Sequence, residues 1–143
     1  MIAPFGWLTW ALLSAVFAAL TAIFAKVGVA NINSDLATFI RTVVIMVALG
    51  AILFARGLFQ QIDTISLRTY TFLVLSGLAT GASWFCYFRA LQIGDAALVA
   101  PIDKLSVVLV AVFAVTFLGE RLSLTNWAGI ALIACGAVLV AWR

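Results

Sequence analysis

Five long apolar runs separated by short polar breaks organise this chain. They cover about residues 5–27, 36–55, 69–91, 96–118 and 122–142. Each is close to the ~20 residues an α-helix needs to cross the hydrocarbon core of a bilayer. The breaks carry turn chemistry. Asn33, Ser34 and Asp35 offer N-caps for the second helix. Gly94 and Asp95 supply a C-cap and an N-cap between the third and fourth. Gly119-Glu120-Arg121 separates the fourth from the fifth, and the longest connection, 56–68, holds Gln60, Gln61, Asp63 and Arg68. No internal repeat or low-complexity tract interrupts the pattern. The expectation is an all-α integral membrane protein with five transmembrane helices, one membrane domain over 1–143.

Composition strengthens that picture. Of 143 residues, 66% are hydrophobic and 9% charged, with a mean hydropathy of +1.27. Soluble domains carry about 25% charged residues. The net charge of +3 is scattered, so nucleic acid is not an expected partner. The N-terminal MIAPFGWLTW lacks the positive region of a signal peptide and reads as the start of a retained first helix. Cys86 and Cys135 read as small buried hydrophobes rather than a disulfide or a metal pair. There is no histidine, no metal-ligating set and no nucleophile–base pair on one helix face, so neither an enzyme nor a cofactor or metal is expected.

Aromatic residues mark the interfaces: Trp7, Trp10, Tyr70 and Trp127 on the side of the N-terminus, Trp142 on the other. Loop cations divide evenly, Arg56, Arg68 and Arg121 against Lys26, Arg89 and Arg143. A balanced count fits a weak single orientation, or insertion both ways round, which allows an antiparallel dimer. The expected location is the cell membrane, multi-pass.

The candidate chemistry lies in the embedded polar residues. Asp103 and Lys104 sit inside the fourth apolar run, and Arg41 inside the second. A charge at bilayer depth costs roughly 2.5–3.5 kcal/mol on insertion scales, so such residues default to function. Asp103 lies about 10 Å and Arg41 about 8 Å into their helices from the same side, at 1.5 Å per residue. Similar depth predicts an Arg41–Asp103 pair. Neighbouring residues point about 100° apart on a helix, which turns Lys104 toward the pathway or a partner subunit. Arg41 plus Lys104 minus Asp103 leaves one positive charge. This favours a substrate with an anionic group, or a cationic one when Asp103 is free. The competing reading is a structural ion pair with Lys104 snorkelling to the interface.

Pro101 removes a backbone donor and disturbs the carbonyl of Ala97. That carbonyl can line a cavity, or the proline simply kinks the helix. Ser76, Thr80, Ser83 and Tyr87 share one face of the third helix with Trp84 beside them. They line a substrate path or make hydrogen bonds between helices. Gly77-x3-Gly81, the small face Ala11, Ala15, Ala18 and Ala22, and Gly129 with Gly136 read as packing faces, some within the monomer and one a candidate dimer seam. Arg89 snorkels, and Glu120 anchors a loop.

The wording of the last three helices adds a resemblance. YFRALQIGDAALVAPI, VTFLGERLS and NWAGIALIACGAVLVA contain Tyr87, Ala90-Leu91, Pro101, Gly119-Glu120, Gly129 and Gly136 in a distinctive order and spacing. This resembles the EamA-type half of the drug/metabolite transporter superfamily, in its five-helix bacterial/archaeal form. The likeness covers nearly the whole chain. Most members have ten helices in two halves of inverted topology, so the resemblance implies that a half-size chain pairs with a second copy. Small multidrug-resistance relatives carry a carboxylate in the first helix, and this chain has none there. The reading is a homodimeric transporter of a small polar metabolite or drug, with lipid as its surroundings. Its site residues are Arg41, Asp103, Lys104, Ser76, Thr80, Ser83, Trp84, Tyr87 and Pro101. The rivals are a cationic-drug/proton exporter built on Asp103 and a non-transporting accessory subunit of a membrane complex.

Overall fold

In the computed structural model, described for residues 6–59 and 65–142, the ordered elements are all α-helical. They are α1 (Trp7–Gly28), α2 (Ser34–Ala55), α3 (Leu67–Ile93), α4 (Ala96–Asp103), α5 (Ser106–Phe117) and α6 (Leu124–Ala141). Five spans are long and apolar enough to cross a membrane, with Ala96–Phe117 as the fourth. The elements are those of an all-helical, multi-pass membrane protein with five spans among the described residues.

Local chemistry explains where the helices begin and end. Asn33 stands at the N-cap of α2, where its Oδ1 accepts from the backbone N–H of Asp35 at 2.7 Å and of Leu36 at 3.4 Å. A cap of this kind is worth ~1 kcal/mol because it satisfies donors the helix cannot reach. Ser123 does the same for α6 by accepting from the N–H of Asn126. Gly119 ends α5 with φ 69°, a left-handed turn that brings the Glu120 N–H onto the Ala114 carbonyl at 3.1 Å. The Gly-Glu pair of the sequence is therefore a helix stop: the glycine supplies the positive φ that other residues resist.

The fourth apolar run departs from expectation. A single helix was expected over 96–118, but α4 ends at Asp103 and α5 begins at Ser106. Around the break, Lys104, Leu105, Val107 and Val108 donate backbone bonds to Pro101, Ile102, Lys104 and Leu105, each three residues back. This is a tighter 3₁₀-like turn set between two α-helical pieces. Pro101 sits just before it, without the N–H that would bond Ala97 in a continuous helix.

The chain divides into two compact units. One comprises Met1–Phe24 and Ile93–Arg143, and the other Ala25–Gln92. In the first, α4 and α5 pack against α6. The buried core of the second gathers where the end of α1, the start of α2 and the end of α3 converge: Val29, Ser34, Phe88 and Leu91 are each at most 2% exposed.

Two smaller expectations change. Cys86 and Cys135 are free thiols on exposed helix surface, not buried. Among the described residues, a Cβ added at Gly77, Gly81, Gly129 or Gly136 meets nothing within 4 Å, so these glycines are not sites of close helix packing within their own units.

Candidate functional site

The Ala25–Gln92 unit places Arg41 on α2 against aromatic side chains of α3. Its guanidinium carbon lies 4.2 Å from the centroid of the Trp84 ring and 5.3 Å from that of Phe88. Trp84 and Phe88 are one helical turn apart, so one face of α3 presents both rings to one cation. Tyr87 is close enough to Arg41 to interact with it electrostatically. Cation–π contacts are worth ~0.5–2 kcal/mol, most where water is excluded. They offset part of the cost of holding a charge about 10 Å into a helix that starts at Ser34. Inside this unit, and among the described residues, no carboxylate forms a salt bridge with Arg41.

The same end of the unit is tied by polar contacts. The Lys26 ammonium donates to the Leu91 carbonyl at 2.8 Å. Leu91 lies in the last turn of α3, where carbonyls lack helical partners and the dipole favours a cation. Gln92 donates through Nε2 to the Ile32 carbonyl at 2.9 Å and accepts from Arg89 at 3.0 Å. Lys26 and Arg89, expected as interfacial loop charges, thus have partners in the protein.

In the other unit, Asp103 and Lys104 flank the break in the fourth span. The Lys104 Nζ lies 3.1 Å from the Asp103 Oδ2, with side chains 56% and 36% exposed. Helical spacing had turned them to different faces and left Lys104 without a mate. The spacing rule fails here because the helix stops at Asp103, and the long lysine stem reaches back to its neighbour. Arg41 and Asp103 belong to different units. Each has a partner inside its own: rings for Arg41, an ammonium for Asp103.

The hydroxyl stripe keeps its register on the unbroken α3, and Ser76, Thr80 and Ser83 are exposed there. Thr80 spends its proton on the Ser76 carbonyl at 2.8 Å, the back-bond common for threonine in apolar helices. Phe88 is the residue the sequence reading missed. Its signal was the four-residue spacing from Trp84, which gives one cation two rings. Pro101 lies in α4 one turn before the break.

Comparison with known proteins follows this geometry. The model of the EamA-like transporter family matches residues 5–142. This chain belongs to the EamA-like transporter family. A Sinorhizobium protein described as an uncharacterized transporter in the cobO 3' region is 66% identical over 136 residues, covering 95% of this chain and 96% of that protein. No solved structure matches. The membership accounts for the five spans in a half-size chain. It supports a membrane transporter, which implies a small-molecule substrate and a lipid environment.

Proposed function

We propose that this EamA-like chain is one membrane domain over residues 1–143 and one subunit of a secondary transporter. It moves a small polar metabolite or drug across the cell membrane by alternating access, as a homodimer. The observation that carries the reading is the interruption of the fourth span beside Asp103 and Lys104. Transporters commonly build substrate and ion sites from broken helices near the midplane, because unwound backbone there supplies polar groups that a continuous helix hides. An ion pair at such a break has a role that a buried structural pair lacks: it can open when a solute or ion competes for one member. Arg41, Trp84, Tyr87 and the hydroxyls of Ser76, Thr80 and Ser83 offer further polar lining, and Pro101 maintains the break.

Five spans make half of the usual family plan, and the evenly divided loop cations are compatible with two copies inserted in opposite senses. Reporter fusions after Arg143 test this directly. Signal from both sides of the membrane supports the antiparallel dimer, and signal from one side removes it. For the site, Asp103→Asn and Lys104→Met are expected to reach the membrane at wild-type levels and to lose transport in reconstituted vesicles. Wild-type flux in both variants would overturn the assignment. A cation/proton exporter built on Asp103 is the weaker reading, because the carboxylate is already held by Lys104.

A further inference from the structure

Among the described residues of its unit, Arg41 is a charge at bilayer depth whose neighbours are rings rather than a salt-bridged carboxylate. The nearby cations of that unit are already committed: Lys26 to the Leu91 carbonyl and Arg89 to Gln92. Asp103 and Lys104 balance each other in the other unit. Lys26 and Arg89 lie at helix ends on polar acceptors, whereas Arg41 carries its charge about two turns into α2 against rings.

We propose that Arg41 is the docking point for a carboxylate of the transported solute, the guanidinium being held by Trp84 and Phe88. This deepens the transporter reading above and rests on it. A ring stacked on a guanidinium covers its flat face. The N–H donors lie in the plane and point outward from its edge, where they form two parallel bonds to the two oxygens of a carboxylate. Stacking also fixes a side chain that otherwise loses rotamer freedom on binding, so less affinity is spent on ordering it. One guanidinium neutralises one negative charge. A phosphate dianion would carry its second charge into the span uncompensated, which selects the carboxylate.

The test is equilibrium dialysis of the purified, detergent-solubilised protein with radiolabelled acetate, gluconate and benzoate. Benzamide serves as the neutral isostere of benzoate and tetraphenylphosphonium as a cation. At least one carboxylate is expected to bind saturably, while benzamide fails to displace benzoate. Arg41→Gln abolishes the binding. Arg41→Lys keeps the charge but loses the fork, and weakens it at least tenfold. Trp84→Leu leaves Arg41 in place and weakens it about fivefold, the size of one cation–π contact. Arg41→Lys and Trp84→Leu decide the matter should Arg41→Gln fail to fold. Saturation by none of the three carboxylates, or wild-type affinity in Arg41→Lys, overturns the proposal. Flux in proteoliposomes separates it from the transporter reading. Arg41-dependent binding with no gluconate flux upholds the site and counts against transport. Flux of tetraphenylphosphonium without carboxylate binding upholds transport and overturns the site.

Discussion

The two units carry charge inside the membrane by different means. In Ala25–Gln92, a continuous helix presents Trp84 and Phe88 to Arg41, and the charge is tolerated through polarisable rings, with no salt bridge among the described residues of that unit. In the unit formed by Met1–Phe24 and Ile93–Arg143, the helix itself is broken, and two opposite charges one residue apart neutralise each other at the break. On the proposed reading, the first arrangement offers an anion a cation held in place by rings. The second is neutral as a pair and sits on backbone already freed from regular helix. A site for solute and an element that rearranges require different properties, and the proposed function assigns one to each unit.

The largest effect is expected from the neutral pair. Asp103→Asn leaves Lys104 unbalanced and Lys104→Met leaves Asp103 unbalanced, and each lowers flux by more than tenfold. The double variant separates the roles. Asp103→Asn with Lys104→Met restores neutrality, so a purely structural pair predicts recovered flux. A pair that works by opening and closing predicts membrane insertion and thermal stability near wild type, with flux still lost. Recovered flux in the double variant would reduce the break to a packing feature.

Next in size is Pro101. Pro101→Ala returns the N–H that bonds the Ala97 carbonyl and removes the clash of the ring, which in a helix interior is worth up to ~3 kcal/mol. The fourth span is then expected to approach a continuous helix, with a higher melting temperature and flux lowered three- to tenfold. A stabilised variant with unchanged flux would show that the break is not used.

Much of the fold was legible in the chain, because membrane insertion reduces fold prediction to length and hydropathy. Every span end lies within about two residues of the structural helix, as expected where boundaries rest on caps such as Asn33 and stops such as Gly119. The break at Lys104–Leu105 was not legible. Pro101 removes its own backbone donor and leaves the Ala97 carbonyl without it, but only backbone geometry shows the next turn tightening to three-residue bonds. The contact between Asp103 and Lys104 was missed for the same reason: helical angles were applied to a residue where the helix ends. Trp84 beside Arg41 was within reach of the sequence only as two separate candidates. Depth matching compares charges with charges, and it has no term for a ring that holds a cation.

Lys26 tests the Arg41 side of the comparison with a smaller effect. Its bond to the Leu91 carbonyl satisfies a group at the end of α3, three residues beyond Phe88. A hydrogen bond to a charged group contributes about 1.5–3 kcal/mol when protected, and the low end applies to this half-buried contact. Lys26→Met is expected to lower the melting temperature by a few degrees and leave carboxylate affinity within twofold, since Trp84 lies nearly two turns deeper. A large loss of affinity would tie the helix-end clamp to the aromatic seat of Arg41.

The smallest effect separates two hydroxyls that look alike in the sequence. Thr80 and Ser83 share a face of α3, but Thr80 already donates to the Ser76 carbonyl. A hydroxyl committed to its own helix has no proton left for a passing solute, although its oxygen still accepts. Thr80→Val, which keeps the shape, is therefore expected to change stability by less than ~0.5 kcal/mol, the range of substitutions that remove no essential contact. Flux should remain within twofold. Ser83→Ala should lower flux about two- to threefold, with no change in melting temperature. Equal flux in both variants would remove the hydroxyl face from the path and leave α3 with one task, holding the rings against Arg41.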